Sequence, residues 1–300
     1  MAAAGIVGLG IMGSAMAGHL LAAGHEVVGH DVSEERRQAF EQAGGSLVDS
    51  AEEVARSADV VLTSLPSAAA AEQVCAQLAG SGRSALLVVE TSTLPAQVKE
   101  RCRRQVEQVG GELLDCPMSG TGAQALERDV VVYGSGDEAA FERARAVMEV
   151  FSRSVRYLGP FGRGTTMKYI ANLLVAVHNV ATAEAFALGE RAGLEPQQIY
   201  ETVRDGAGGS VIFDKRGRLM VERAYLPATA KMSMFVKDTD LIADYAAELD
   251  LPTPMLTATR RLYAEAVEAG LADSDAAALL GLMSEAHLRP QDDDADGDDR

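Results

Sequence analysis

The chain of 300 residues contains no tryptophan, and aromatic residues make up only 5% of it. Proteins that bind nucleic acids stack bases on aromatic side chains and hold phosphates with positive charge. This chain instead has a formal net charge of −17. The composition argues against a nucleic-acid partner and against an anionic membrane surface, and an anionic substrate would need a locally basic pocket.

Cysteine and histidine are also scarce. The three cysteines are far apart and form no CxxC or CxH cluster, and the five histidines are scattered. We therefore expect reduced thiols and no metal site. No run approaches the roughly eighteen apolar residues of a membrane span, and the chain opens directly on an apolar strand pattern without leader features. These absences predict a soluble, cytoplasmic protein without membrane contacts.

The most informative stretch runs from Gly5 to Asp31. Gly8, Gly10 and Gly13 give the spacing GxGxxG, which follows a short apolar run and precedes a helical pattern; a second apolar run then ends on Asp31. The order of strand, tight turn, helix, strand and acid predicts a dinucleotide-binding unit. The alternative is a glycine-rich turn between a buried strand and a helix, and it leaves the acid unexplained.

Each residue of the turn has a predicted task. Gly8 permits the sharp bend, Gly10 lets the backbone approach a pyrophosphate, and Gly13 lets the helix lie close to the strand. The N–H groups at Ile11 and Met12, at the positive end of the helix dipole, favour the phosphate charge. We predict that these five residues bind the cofactor.

Asp31 also bears on the choice of cofactor. At the end of the second strand, its carboxylate can accept hydrogen bonds from both ribose hydroxyls, and it would repel the additional phosphate of NADP. Val32 supplies no arginine for that phosphate, although Arg36 and Arg37 lie a turn or two further on and soften the repulsion. The sequence predicts NAD rather than NADP.

The rest of the chain has two characters. Up to Tyr157, apolar runs typical of buried parallel strands alternate with helical stretches, which predicts an α/β, doubly wound (Rossmann-type) parallel sheet. After a glycine-rich hinge at Gly159, the pattern is helical, and Thr165 to Ala192 forms about seven turns. We predict a dinucleotide-binding domain at 1–163, an all-α domain built on this long helix at 164–290, and an acidic disordered tail at 291–300.

Several motifs occur together and in order. They are GLGIMG at Gly8–Gly13, TSLP at Thr63–Pro66, TST at Thr91–Thr93, DCPMSG at Asp115–Gly120, GRG at Gly162–Gly164 followed by Lys168 and Asn172, and the pair Lys237–Asp238. With this ordered set, the chain resembles the β-hydroxyacid dehydrogenase family, which includes 3-hydroxyisobutyrate dehydrogenase and tartronate semialdehyde reductase. The resemblance covers residues 5 to 288.

Lys168 and Asn172 lie four residues apart near the start of the long helix, so their side chains share a face. On the sequence alone, Lys168 is either a solvated lysine or a general acid/base whose pKa is lowered by burial and by the positive helix end. The resemblance implies the second role: Lys168 takes the proton of a β-hydroxyl as hydride leaves for the nicotinamide. It also implies that Asn172 positions the substrate, where the alternative is a buried amide that satisfies backbone groups.

Ser119, Gly120 and Thr121 follow a predicted strand. Their hydroxyls and the N–H groups of a glycine-containing turn can form a carboxylate nest, and the alternative is an ordinary polar turn. The resemblance implies that this segment holds the substrate carboxylate, although many members of the family have Gly-Gly after the serine. We interpret the neighbouring Cys116 as a packing residue.

Lys237 by itself is typical of a surface lysine with an acidic neighbour, Asp238. The resemblance implies that Lys237 reaches the cofactor with Asp238 in support. It further implies that Leu65, Pro66 and Thr93 line the nicotinamide-ribose side.

Three functional hypotheses follow. The first is transfer of a hydride between NAD and a small β-hydroxy carboxylic acid, of the 3-hydroxyisobutyrate, glycerate/tartronate semialdehyde, serine or four-carbon sugar acid type. The second is an NADP-dependent imine reductase, against which Lys168 argues, and the third is a non-catalytic nucleotide-binding relative. We expect the site in the cleft between the domains. His178 can also face this cleft, and the alternative is a histidine that caps or packs. Because the long helix offers more apolar surface than its domain can cover, we also expect a homodimer or homotetramer.

Overall fold

The computed structural model describes residues 3–285, so the predicted acidic tail lies outside the described residues. The described chain divides into two compact units, and the division falls between Ala171 and Asn172, inside one long helix.

The first unit alternates strands and helices. In chain order they are β1 (Ala4–Val7), α1 (Ile11–Ala22), β2 (Val27–His30), α2 (Glu34–Gln42), β3 (Ser46–Leu47), α3 (Ala51–Ser57), β4 (Val60–Thr63), α4 (Ala68–Gly80), β5 (Leu87–Glu90), α5 (Ala96–Glu107), β6 (Glu112–Asp115), β7 (Met118–Ser119), α6 (Gly122–Leu126), β8 (Val131–Gly134), α7 (Glu138–Phe151) and β9 (Ser154–Tyr157).

Six strands form one parallel sheet in the order β3-β2-β1-β4-β5-β6. Strands β4 and β5 are buried at every position, as expected for central strands covered by helices on both faces. The strand order reverses between β1 and β4, and doubly wound sheets bind ligands outside the carboxyl ends of the strands at such a point. The predicted fold class is confirmed.

A second, smaller sheet departs from the prediction. The sequence pattern predicts strands at Val130–Tyr133 and Ser154–Tyr157 within the doubly wound sheet. Instead, β8 and β9 pair in parallel with each other, and β8 pairs antiparallel with the two-residue strand β7. Alternate residues of β8 are only half-buried, whereas β4 is buried throughout, and such alternation is typical of a sheet with one covered face.

The remaining elements are helices. They are α8 (Arg163–Arg191), which spans the division between the units, α9 (Pro196–Arg204), α10 (Val211–Glu222), α11 (Met232–Glu248), α12 (Pro254–Glu268), a short 3₁₀ helix (Ala276–Ala278) and α13 (Leu279–Glu285). This agrees with the predicted all-helical region built on one long helix.

The core of the second unit contains aromatic packing and a buried ion pair. The rings of Phe235 and Tyr263 stack at 5.2 Å between centroids. Arg216 Nη1 donates to both carboxylate oxygens of Asp275 at 2.9 Å, and both side chains are buried. The same carboxylate accepts the N–H of Thr229 at 2.9 Å. Because a lone buried charge is expensive, each partner of this pair depends on the other.

Helix α8 is long and apolar enough to cross a membrane by length and composition alone, with a mean hydropathy of 1.3 over eighteen residues. The helix contains no unbroken run of eighteen apolar residues, so the sequence pattern does not indicate it as a candidate span. One third of that window (33%) is buried inside the protein, and core helices of soluble proteins pass the same test. This single helix is therefore weak evidence for a membrane span.

Candidate active site

The glycine turn lies between β1 and α1. Gly8 has a φ of +94°, and a side chain there would overlap the carbonyl oxygen of Ser64. A side chain at Gly13 would overlap the carbonyl oxygen of Gly8. At Gly10, in contrast, the nearest atom to an added Cβ is 3.8 Å away. The fold itself requires the first and third glycines, whereas the open side of Gly10 fits a ligand that approaches the backbone.

The start of α1 is free of side-chain capping. Gly10 is the N-cap and provides no capping hydrogen bond, and the first turn contains no acid. In α2, by comparison, Ser33 accepts the N–H of Arg36, and Glu34 lies in the first turn. The uncapped N–H groups and the positive end of the α1 dipole can therefore hold an anion such as a pyrophosphate.

Asp31 is buried at the end of β2 and is fixed by the turn itself. Its Oδ2 accepts the N–H of Leu9 at 2.7 Å, and its Oδ1 accepts the N–H of Ser33 at 2.8 Å. Arg36 Nη1 lies 3.5 Å from Oδ2, and the arginine side chain is 53% exposed. Arg37 instead pairs with Asp49 at 3.4 Å.

Arg36 is therefore the cation beside the predicted ribose-binding carboxylate. Its Nη1 is also the atom nearest to the open side of Gly10. The sequence placed two arginines near Asp31 without distinguishing them. In the structure, Arg36 lies beside Asp31 at the turn, whereas Arg37 pairs with Asp49.

The segments after β4 and β5 meet at the same edge of the sheet. Leu65 donates its N–H to Ser92 Oγ at 2.8 Å, and Thr91 donates its N–H to the Thr63 carbonyl at 3.0 Å. The Leu65 side chain also lies beside Gly8, within 3.3 Å of the position of an added Cβ. The loops that carry Leu65, Pro66 and Thr93 are thus adjacent, as two neighbouring parallel strands require.

The segment after β6 lies against the start of α1. A side chain at Gly122 would overlap that of Ile11, and the Nε2 of His19 on α1 is 2.8 Å from the carbonyl of Ala125 on α6. Gly120 has a φ of +149°, and an added Cβ would lie 2.7 Å from Val130. The fold therefore brings the predicted carboxylate segment next to the predicted cofactor turn.

Thr121 has a local role that the sequence pattern did not reveal. Its hydroxyl accepts the N–H of Gln124, and its own N–H donates to the Gln124 side chain, which is a complete capping box for α6. Ser119 is half-buried at the end of β7. Of the two hydroxyls, that of Ser119 is the one not used in a helix cap.

Cys116 lies between Asp115 and Pro117 and is fully buried. Burial raises the pKa of its thiol well above the usual value, so the thiol stays protonated. This environment supports the interpretation of Cys116 as a packing residue.

Lys168 lies in the second turn of α8, within the first unit. The residue is only 9% exposed, which argues against a fully solvated lysine at a helix start. The next residue, Tyr169, donates its hydroxyl to the carbonyl of Leu94 at 2.8 Å, which holds this part of α8 against the loop after β5.

Asn172 and Lys237 belong to the second unit and share one acid. Asn172 Nδ2 donates to Asp238 Oδ2 at 2.8 Å, and Lys237 Nζ lies 3.3 Å from Asp238 Oδ1. The sequence motif predicts only the pairing of Asp238 with Lys237, and not the contact with Asn172. Because its amide N–H₂ is engaged by Asp238, Asn172 has its carbonyl oxygen available as an acceptor.

Two other features do not mark the site. A cavity of about 510 Å³ in the first unit is lined by residues such as Arg103, Glu112 and Tyr157, and by none of the predicted site residues. Within residues 3–285, no group of three or more His, Cys, Asp or Glu side chains could hold a metal ion.

Comparison with known proteins gives a consistent assignment. Residues 3–159 match the family model of the NAD binding domain of 6-phosphogluconate dehydrogenase. Residues 162–283 match the model described as NAD-binding of NADP-dependent 3-hydroxyisobutyrate dehydrogenase.

Individual relatives agree with these matches. The L-threonate dehydrogenase of Cupriavidus necator is 33% identical over 93% of this chain and 95% of its own length. The solved structure of a 3-hydroxyisobutyrate dehydrogenase from Salmonella typhimurium is 30% identical, with a TM-score of 0.84 over 94% of this chain and 100% of that one. The corresponding Mycobacterium tuberculosis enzyme, solved with L-serine, is 27% identical, with a TM-score of 0.87 over 94% and 99% of the two chains. The chain therefore belongs to the β-hydroxyacid dehydrogenase family and is an NAD(P)-binding hydroxyacid dehydrogenase.

Proposed function

We propose that this enzyme oxidises a four-carbon sugar acid of the threonate type, with NAD as hydride acceptor and Lys168 as general acid/base. The observation that carries the proposal is the burial of Lys168, at 9% exposure, in a chain 33% identical to an L-threonate dehydrogenase. The amine of a buried lysine can exchange a proton with a bound alcohol.

The roles of the residues follow from the chemistry of alcohol oxidation. Lys168 removes the proton of the β-hydroxyl while the carbon loses hydride, and the product is a carbonyl compound. When bound, the nicotinamide supplies the carbon that accepts the hydride. Ser119 and the backbone at Gly120 hold the substrate carboxylate, while Thr121 supports the segment through its helix cap. Asn172, oriented by Asp238, offers its carbonyl oxygen to a substrate hydroxyl.

The cofactor is held at the glycine turn. The uncapped start of α1 at Ile11 and Met12 takes the pyrophosphate, and the open side of Gly10 leaves room for it. Asp31 accepts hydrogen bonds from the ribose hydroxyls and disfavours an additional phosphate, which supports NAD over NADP. Arg36, at 3.5 Å from Asp31, reduces that discrimination without removing it.

The loops at the carboxyl ends of β4 and β5 complete the cofactor site. The nicotinamide-ribose side is lined by Leu65, Pro66 and Thr93. Of these three, Leu65 lies beside Gly8. Lys237, paired with Asp238, provides positive charge toward the cofactor.

We also propose a soluble, cytoplasmic homo-oligomer. Ile170, Leu174 and Leu188 lie on α8 with about half or more of their side chains exposed. A second copy of the chain would cover this apolar surface, which otherwise faces water. A light-scattering mass of a single chain at micromolar concentration would refute the oligomer.

The substrate proposal is tested by the absorbance of reduced nicotinamide. Purified enzyme is mixed with NAD and, in separate reactions, L-threonate, 3-hydroxyisobutyrate, glycerate or serine. We expect L-threonate to give the highest kcat/KM. If another acid gives a higher kcat/KM, that acid replaces L-threonate as the proposed substrate. If the enzyme consumes reduced cofactor with a cyclic imine and shows no activity with any of the acids in either direction, the proposed reaction is refuted.

A further inference from the structure

A buried ammonium in the first unit has two polar partners, neither of which is among the predicted site residues. Lys99, on α5, is 1% exposed; its Nζ lies 2.7 Å from Glu90 Oε2 and donates to Asp115 Oδ1 at 2.8 Å. Both carboxylates are fully buried. Burial lowers the pKa of Lys99, but the carboxylates of Asp115 and Glu90 outweigh this effect and leave the pKa above its usual value. The amine is therefore a fixed positive charge and not a proton carrier.

Asp115 connects Lys99 to the start of α8. Its Oδ2 accepts the N–H of Thr165 at 2.7 Å, and its Oδ1 accepts the Thr165 hydroxyl at 2.8 Å. Beside it, Ser135 Oγ accepts the N–H of Gly164 at 2.9 Å. The first turn of a helix has unpaired N–H groups and a positive dipole, so a buried carboxylate is stabilising there. A side chain at Gly164 would overlap the carbonyl of Asp115, so the approach is close.

This anchor lies next to the proposed general acid/base. Lys168 follows Thr165 by three residues, which is less than one turn of helix. A shift or rotation of the first turn of α8 would therefore displace Lys168 directly. Tyr169, hydrogen-bonded to Leu94, restrains the next position, so the helix start is held from two sides.

The second carboxylate extends the network to the cofactor loops. Glu90 Oε1 accepts the N–H of Ser92 at 2.9 Å, and Ser92 Oγ accepts the N–H of Leu65 at 2.8 Å. One ammonium thus joins the loops that carry Leu65 and Thr93 to the helix that carries Lys168.

We propose that Lys99 is a positioning residue: through Asp115 it fixes the first turn of α8 and thereby the location of the Lys168 amine. The inference rests on the proposed role of Lys168. Lys99 itself contacts neither cofactor nor substrate, and its effect on the reaction is exerted through the helix.

The test uses paired substitutions. Lys99→Met alone leaves two buried carboxylates without their cation and is expected to destabilise the fold severely. The double variant Lys99→Met/Asp115→Asn removes one cation and one carboxylate together but leaves the buried Glu90 carboxylate without its cation, so every measurement is repeated with Glu90→Gln added. The asparagine keeps a carbonyl oxygen for Thr165. The matched control is Arg216→Met/Asp275→Asn, which removes the buried ion pair of the second unit.

The first readout is independent of activity. In the Lys99→Met/Asp115→Asn variant, we expect backbone amides at 163–168 to exchange with deuterium at least about tenfold faster than in the wild type. The first turn of α7, which is capped by Asp137, is the internal reference and should not change. Unchanged exchange at 163–168 would show that Lys99 does not anchor α8.

The second readout separates positioning from general stability. We expect kcat of the Lys99→Met/Asp115→Asn variant to fall about 10- to 100-fold, with the Kd for NADH within about twofold of the wild type. The control variant should keep kcat within about twofold even if its Tm falls equally. A wild-type kcat in the Lys99 double variant, or equal losses of kcat in both doubles, would overturn the inference.

Lys168→Ala is measured in parallel. If Lys168→Ala keeps the wild-type rate, the proposed function fails. If Lys168→Ala loses turnover while the Lys99 double variant keeps it, only the positioning role of Lys99 fails.

Discussion

Replacing Gly10 by alanine is expected to weaken nucleotide binding while the glycine turn stays folded. Gly10 has φ −69° and ψ −171°, which alanine adopts without strain, and its added Cβ would be 3.8 Å from the nearest atom. Because glycine is a better N-cap residue than alanine, the substitution should lower the free energy of unfolding by at most about 1 kcal/mol. For a chain of this size, that corresponds to a Tm shift of roughly 2–4 °C.

The affinity should change much more. A methyl group at Gly10 would occupy the open side of the turn and keep the pyrophosphate from the N–H groups of α1. Loss of one hydrogen bond to a charged group costs about 1.5–3 kcal/mol. At about 1.4 kcal/mol per factor of ten, the Kd for NADH should rise roughly 10- to 150-fold.

The same helix provides the comparison variants. Gly18, in the interior of α1, has no atom within 4 Å of an added Cβ, so Gly18→Ala should stabilise the fold by about 0.5–1 kcal/mol and leave the Kd unchanged. Gly13→Ala would place its Cβ on the Gly8 carbonyl and should destabilise the fold by about 1–3 kcal/mol or more.

Thermal unfolding without ligand and titration of NADH fluorescence measure the two effects separately. Because the chain contains no tryptophan, the fluorescence of the nicotinamide itself is the signal. If Gly10→Ala binds NADH as tightly as the wild type and Gly18→Ala, the cofactor does not approach the backbone at Gly10. The proposed site at the turn would then be wrong.

Four further predictions follow from the structure. In fluorescence titrations, Arg36→Ala should weaken NADPH binding about tenfold and NADH binding far less, and Arg37→Ala is the control. Equal losses of affinity for both nucleotides would contradict a role of Arg36 beside the additional phosphate of NADPH. Gly120→Ala would place an alanine at a φ of +149°, with its Cβ too close to Val130, and should raise the KM for the acid substrate more than the Kd for NADH. An unchanged KM would show that this segment does not bind the substrate. Arg216→Met should lower the free energy of unfolding by about 3–5 kcal/mol in denaturant titration, because its buried carboxylate partner loses its cation, and a loss below about 1 kcal/mol would refute this. The three buried cysteines should not react with Ellman's reagent in the native protein and should all react after denaturation; a rapid native reaction would contradict their burial.

The elements at the start of the chain were predictable because their signals are local. The GxGxxG spacing, the flanking apolar runs and Asp31 all lie within about thirty residues, as one βαβ unit requires. The strand at β1, the helix α1 and the strand β2 accordingly appear where the pattern placed them.

Short elements escaped prediction. Strands β3 and β7 contain two residues each and helix α6 contains five, so none completes enough of a period to be recognised. The separate sheet formed by β7, β8 and β9 was missed for a related reason. Strand periodicity indicates that a strand exists, but pairing partners depend on tertiary packing.

The contacts that orient the candidate site residues are also non-local. Lys99 and Asp115 are 16 residues apart, Asn172 and Asp238 are 66 apart, and Asp115 and Thr165 are 50 apart. No spacing rule connects such residues, because each contact is created by the packing of separate elements. The family motifs therefore indicated which residues to consider, whereas their hydrogen-bond partners required the structure.

One pair of rates tests the proposed role of Lys168 directly. The initial rate of NADH formation with L-threonate is compared between the wild type and Lys168→Ala, with Lys231→Ala as the control for loss of an exposed lysine charge elsewhere. We expect Lys168→Ala to lose at least about 100-fold in kcat, while its Kd for NADH and the rate of Lys231→Ala stay at wild-type values. A Lys168→Ala enzyme that turns over at the wild-type rate would contradict the account.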